Sequence, residues 1–98
     1  MEYKIYQLGH NEEGYKFMFL PYRENRLAPR SLYEVVYAGT VEEIGDPLAV
    51  LESLFTKFNI NHPADFKGHS MSVSDIVELD GKYYYCDSFG YVELKNWK

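Results

Sequence analysis

The sequence predicts an α+β domain: a mostly antiparallel sheet of about five strands with one main helix packed on one face. Three observations point there. Runs rich in aromatic and β-branched residues recur along the chain, one segment (47–58) carries a helical apolar stripe, and Asp80-Gly81 separates two β-rich runs.

The elements follow in order. "YKIYQLG", residues 3–9, ends at a glycine and reads as a strand. "NEEGY" is a polar turn, and "YKFMFLP", residues 15–21, reads as a second short strand stopped by Pro21. "YRENRLAPRS" is arginine-rich and irregular, with room for one helical turn before Pro29. "LYEVVYAG", residues 32–39, is uncharged except for one glutamate and reads as a central strand.

The helix has a defined start. Asp46 can accept from the first free amides, and Pro47 fits the first helical position, where no donor is needed. Leu48, Leu51, Leu54, Phe55 and Phe58 recur at spacings of three and four, with Glu52, Ser53 and Lys57 facing away. Asn59 suits a left-handed terminator, with Ile60 folding back on the helix and Pro63 blocking continuation. In "IVELDGKYYYCDS" the Asp-Gly pair favours a two-residue type I′ turn. That register sets Leu79 against Lys82, Val77 against Tyr84 and Asp75 against Cys86. Val77, Leu79, Tyr84 and Cys86 then share one face, and Ile76, Tyr83 and Tyr85 the other. "SFGYVEL" supplies a last strand, and Trp97 is placed to cover an edge.

The chain of 98 residues suits a single domain, residues 1–98, with ten tyrosines and six phenylalanines to pack across strands or to meet a partner. A net charge of −5 argues against direct nucleic-acid binding through phosphate neutralisation. Arg23, Arg26 and Arg30 read as a solvated loop rather than an anion site. Cys86 is the only cysteine, so no internal disulfide can form. No signal segment or long apolar run is present, so a cytoplasmic location without membrane contact is expected.

The chemically dense stretch is "HPADFKGHSMSVSDIVEL", residues 62–79. His62, Asp65 and His69 could serve a metal with Cys86, but the spacing matches no compact ligand motif. A His69-Ser70-Asp75 hydrolase is disfavoured, because neighbours in extended chain point to opposite sides. A Cys86 nucleophile with a histidine base would lie on the helix-covered side, where a thiol is usually inert. No catalytic residue, metal or cofactor is therefore assigned. The structural reading explains more: Ser72, Ser74 and Asp75 can bond nearby amides where the chain turns. A bare Asp75 carboxylate on the apolar face would be costly, so it needs a partner, with His69 expected, or a bulge.

These residues, with "YYYCDSFGYVEL", resemble the signature half of the YodL-like domain, and "IYQL", "LYEVVYAG" and "FTKFNI" are similar in order and spacing. His62, Pro63, Asp65, Phe66, Gly68, His69, Ser70, Ser72, Ser74, Asp75, Asp87, Ser88, Gly90 and Leu94 match the motif. The resemblance implies a module found in Firmicutes, alone or within proteins of conjugative elements and phages. It supplies no catalytic residues.

The expected function is a non-enzymatic interaction module that binds a host or element protein, with His62, Asp65, His69, Ser70, Ser72, Ser74, Asp75 and Asp87 as binding or structural motif. One alternative is an inhibitor of a host defence nuclease acting through an acidic strip of Glu42, Glu43, Asp46 and Glu52. Another is a metal or Cys/His enzyme built on residues 62–87. Self-association through Ile76, Tyr83 and Tyr85 is a third.

Overall fold

A computed structural model of the chain describes residues 1–25, 29–42, 45–95 and 97, with the main chain alone at 24 and 25. Its order is β1 (Glu2–Leu8), α1 (Glu12–Tyr15), α2 (Tyr22–Asn25), a 3-10 turn (Arg30–Leu32), β2 (Tyr33–Thr40), α3 (Pro47–Ile60), β3 (Ile76–Leu79), β4 (Lys82–Cys86) and β5 (Tyr91–Leu94). The five strands form one antiparallel sheet in the order β2-β1-β3-β4-β5. The α+β expectation therefore holds. Among the described residues no helix is long and apolar enough to cross a membrane.

The β3–β4 hairpin has the register the Asp-Gly pair dictates, with Leu79 opposite Lys82 and Val77 opposite Tyr84. Asp80 and Gly81 take φ of 50° and 83°, as a type I′ turn requires. Alternation then divides the core. Tyr3, Ile5, Val77, Leu79 and Tyr84 pack beneath α3, while Tyr6, Leu8, Tyr33, Ile76 and Tyr85 form a second cluster on the opposite face.

Several expectations need correction. Residues 15–21 are not a strand. Asn11 caps the preceding turn by accepting from the Gly14 amide at 2.8 Å, with Glu12 and Glu13 at its positive end, and this helical turn takes the place of a hairpin. "LYEVVYAG" lies at the sheet's edge, not its centre, with a bulge between the pairs Ile5–Tyr37 and Tyr6–Val35. On α3, Val50 is buried with Leu51, Leu54 and Phe58, whereas Leu48 is 50 % exposed. At about 100° per residue, Leu48 falls roughly 100° from the centre of that stripe. Asn59 remains inside the helix, Asn61 ends it, and Ile60 is 80 % exposed rather than folded back.

The second face, one surface expected for self-association, is also covered. Phe17, Met18, Tyr22, Leu32 and Trp97 pack over it. Trp97 crosses the face rather than an edge, with its ring 5.2 Å from Tyr6, 5.4 Å from Tyr33 and 5.1 Å from Tyr83. Arg30, expected in solvated loop, holds its guanidinium 4.6 Å from the Trp97 ring centre and 5.2 Å from that of Tyr83. Cation–π attraction holds this arginine together with hydrogen bonds that it donates to Tyr6 Oη at 3.3 Å and to the Trp97 carbonyl at 3.4 Å. Arg26 lies outside the described residues.

Candidate functional site

The strand connections after β1, before β3 and between β4 and β5 meet at one end of the sheet, because Tyr6 pairs with Ile76, Ile76 with Tyr85, and Cys86 with Tyr91. Most of the motif residues gather there. The centre of the arrangement is Gln7, which alternation places on the α3 side of β1 and which is only 2 % exposed. Its Nε2 donates to the His69 carbonyl at 2.8 Å and to Asp75 Oδ2 at 3.0 Å, while its Oε1 accepts from the His69 amide at 3.1 Å. The amide thus uses both ends to hold the loop. Gly68 is required beside it, since a Cβ there would overlap Gln7 Oε1.

Asp75 is buried and lies just ahead of β3. Its Oδ2 accepts from the Ser72 amide at 2.9 Å as well as from Gln7, and Oδ1 has no partner among the described residues. Burial pushes the carboxyl up to about 8, outweighing the lowering by the Ser72 amide and Gln7. The expected His69 partner is replaced by Gln7. The His69 ring turns away because its Nδ1 lies 2.7 Å from the Ser70 carbonyl, which can only accept.

Ser74 adopts φ of 87°, a left-handed conformation uncommon for any residue but glycine. Its amide donates to the Cys86 carbonyl at 3.0 Å while Cys86 donates to the Asp75 carbonyl at 2.8 Å, so two residues face one in a bulge. The anticipated placement of Asp75 outside the strand is therefore met. The Ser74 hydroxyl accepts from the Phe19 amide at 3.0 Å, and its carbonyl accepts from Tyr33 Oη at 2.7 Å. Phe19 is itself left-handed, at φ 67°. Asp87 does parallel work: its Oδ1 accepts from the Tyr22 amide at 3.0 Å and the Ser88 amide at 2.8 Å, tying α2 to the β4–β5 turn.

Other candidates are not brought together. His62 is exposed, its Nδ1 lies 3.0 Å from the Pro63 carbonyl, and its ring packs on Phe66. Asp65 and Ser70 are exposed, and Ser72 contributes its main chain rather than its hydroxyl. Among the described residues no three His, Cys, Asp or Glu side chains cluster closely enough to hold a metal ion. Burial, reinforced by Asp75, Asp87 and Glu52, pushes the Cys86 thiol up to about 12, so the nucleophilic thiolate is strongly disfavoured.

What the loops present outward is aromatic. Phe89, at the tip of the β4–β5 turn, is 96 % exposed; Phe19 is 58 % and Tyr15 57 % exposed. Tyr15, His10, His69 and Phe19 form a continuous row of rings with centres 5.5 to 5.9 Å apart. Sequence reasoning missed Gln7, Phe19 and His10. Gln7 alone carried a signal, as a polar residue in phase with Tyr3 and Ile5.

The family model of the YodL-like domain matches residues 2–97, while no curated protein and no solved structure matches the chain. The stretch whose side chains knit this loop end together lies within that match, and the chain belongs to the YodL-like domain family.

Proposed function

We propose that the protein is a non-enzymatic module that binds another protein, a host or element protein as the family resemblance implies, through the aromatic loop end of its sheet. The observation that carries this reading is Phe19. A bulky residue held at positive φ by a buried serine hydroxyl, with its ring directed to solvent, is a strained backbone that yields no core packing in return. Exposed aromatic side chains on a pinned backbone are suited to anchor an interface at low entropic cost. The polar motif residues support the reading by their use: Asp75, Ser74 and Asp87 hold main chain, and His62 and His69 point a ring nitrogen at neighbouring carbonyls.

The test compares captures from a Firmicute host lysate by wild-type protein and by the Phe19→Ser/Phe89→Ser double variant, after melts confirm that both fold. A defined protein recovered by the wild type should fall by about tenfold or more with the variant, as loss of anchoring aromatics predicts. Equal recovery would rule out this surface. The acidic-strip alternative is not favoured, since Asp46 accepts from the Leu48 amide at 3.1 Å as a helix cap; Glu43, a second member of that strip, lies outside the described residues.

A further inference from the structure

β2 has the composition of an interior strand and the position of an edge. Over Tyr33–Thr40 it carries one charge, Glu34, and no proline or lysine, the usual devices that blunt an open edge. Val41 and Met1 exchange hydrogen bonds in both directions, at 2.8 and 2.7 Å. Alternation along the ladder therefore turns the amides and carbonyls of Ala38 and Thr40 outward. Among the described residues these main-chain groups have no partner on that side.

Beside this edge runs a groove of about 650 Å³, lined by Glu2, Lys4, Ala38, Thr40, Glu78 and Asp80 among others. Three carboxylates face one ammonium there. Ala38 and Thr40 are short, so they leave the way from the edge to Glu2 and Glu78 open.

We propose that the outer side of β2 takes up an extended segment of another protein in which lysine or arginine recurs at alternate positions. The main chain of that segment would pair with Ala38 and Thr40. A strand added there lies about 5 Å from β2 and about 10 Å from β1, so a long cationic side chain can cross β2 and reach the Glu2 carboxylate on β1, with Glu78 one strand further adding to the field. This surface is separate from the aromatic loop end and does not depend on it.

The probe is a capped octapeptide alternating lysine with threonine, titrated into the full chain and followed by amide NMR shifts. Shifts should concentrate at residues 35–40 and weaken with salt. Of two peptides N-methylated at alternate residue sets, one should bind about tenfold more weakly and the other nearly normally, since only one set faces β2. Ala38→Pro removes an outward donor without touching the β1 ladder and should weaken binding similarly; if it fails to fold, the methylated peptides carry the test. Glu2→Gln with Glu78→Gln should weaken binding and flatten its salt dependence. Equal binding of a glutamate-threonine peptide, shifts elsewhere, or no shifts at millimolar peptide would overturn the proposal. So would concentration-dependent shifts at 35–40 without peptide, which would assign the edge to a second copy. The Phe19→Ser/Phe89→Ser variant should bind the peptide normally, so failure of one surface leaves the other standing.

Discussion

Asp75→Asn should remove most of a pH dependence built into the fold. In the unfolded chain this carboxyl titrates near 3.8, whereas burial raises it to about 8 in the native state. Between those values the native state holds a proton that the unfolded chain has released. Stability from this group is therefore fully present below about pH 4 and declines as pH rises, levelling off above about pH 8. The slope is about 1.4 kcal/mol per pH unit, and an interval of about four pH units sets a ceiling of roughly 6 kcal/mol. Water entering on ionisation would reduce the figure. Asparagine keeps an acceptor for the Ser72 amide and Gln7 Nε2 and places an uncharged group at the position of the unpartnered Oδ1. Urea unfolding of both proteins at pH 5, 6, 7 and 8, monitored by circular dichroism, reads the difference while cancelling other titrations. The wild type should lose stability relative to the variant at each step, by about 1 kcal/mol or more per unit over the middle of the range. Parallel curves, or a wild type that gains on the variant as pH rises, would refute the assignment of a buried, proton-holding carboxyl.

Two further outcomes follow from the same loop. Gly68→Ala should destabilise by about 2 kcal/mol or more, because the new methyl displaces the Gln7 amide and frees its hydrogen bonds to residue 69; for a domain of this size that lowers the melting midpoint by roughly 8 °C or more in a thermal scan. Cys86 in the native protein should react with iodoacetamide far more slowly than in urea at pH 8, measured by intact mass, because the thiol is buried and held protonated up to about 12.

The fold was legible where local chemistry decides it. The Asp80-Gly81 turn set the hairpin register, and the Asp46-Pro47 cap set the start of α3. Position within the sheet was not legible, because composition reports β-propensity and cannot say which neighbour a strand will have; β2 is the example. Residues 15–21 have strand-like composition, yet an asparagine cap and a contact 55 residues away, from Phe19 to Ser74, decided their path. The candidate site divided in the same way. That Ser74 and Asp75 serve the main chain could be argued from residue type, but the Gln7 partnership spans 68 positions and leaves only a phase anomaly in β1.

The pairing of β1 with β3 bears on how the chain reaches this structure. β3, β4 and β5 form a meander of neighbours in sequence, and β1 reaches β2 through residues 9–32, a shorter span than the one that separates β1 from β3. The two portions are sewn along one seam, Tyr3–Leu79 to Tyr6–Ile76, and the Gln7–Asp75 bond fastens the same seam at one end. Closing so long a loop precedes any reward from those contacts, which favours slow, concerted assembly over stepwise growth from the N-terminus. A nascent chain on the ribosome would keep β1 waiting, its inner edge uncovered, until β3 had emerged.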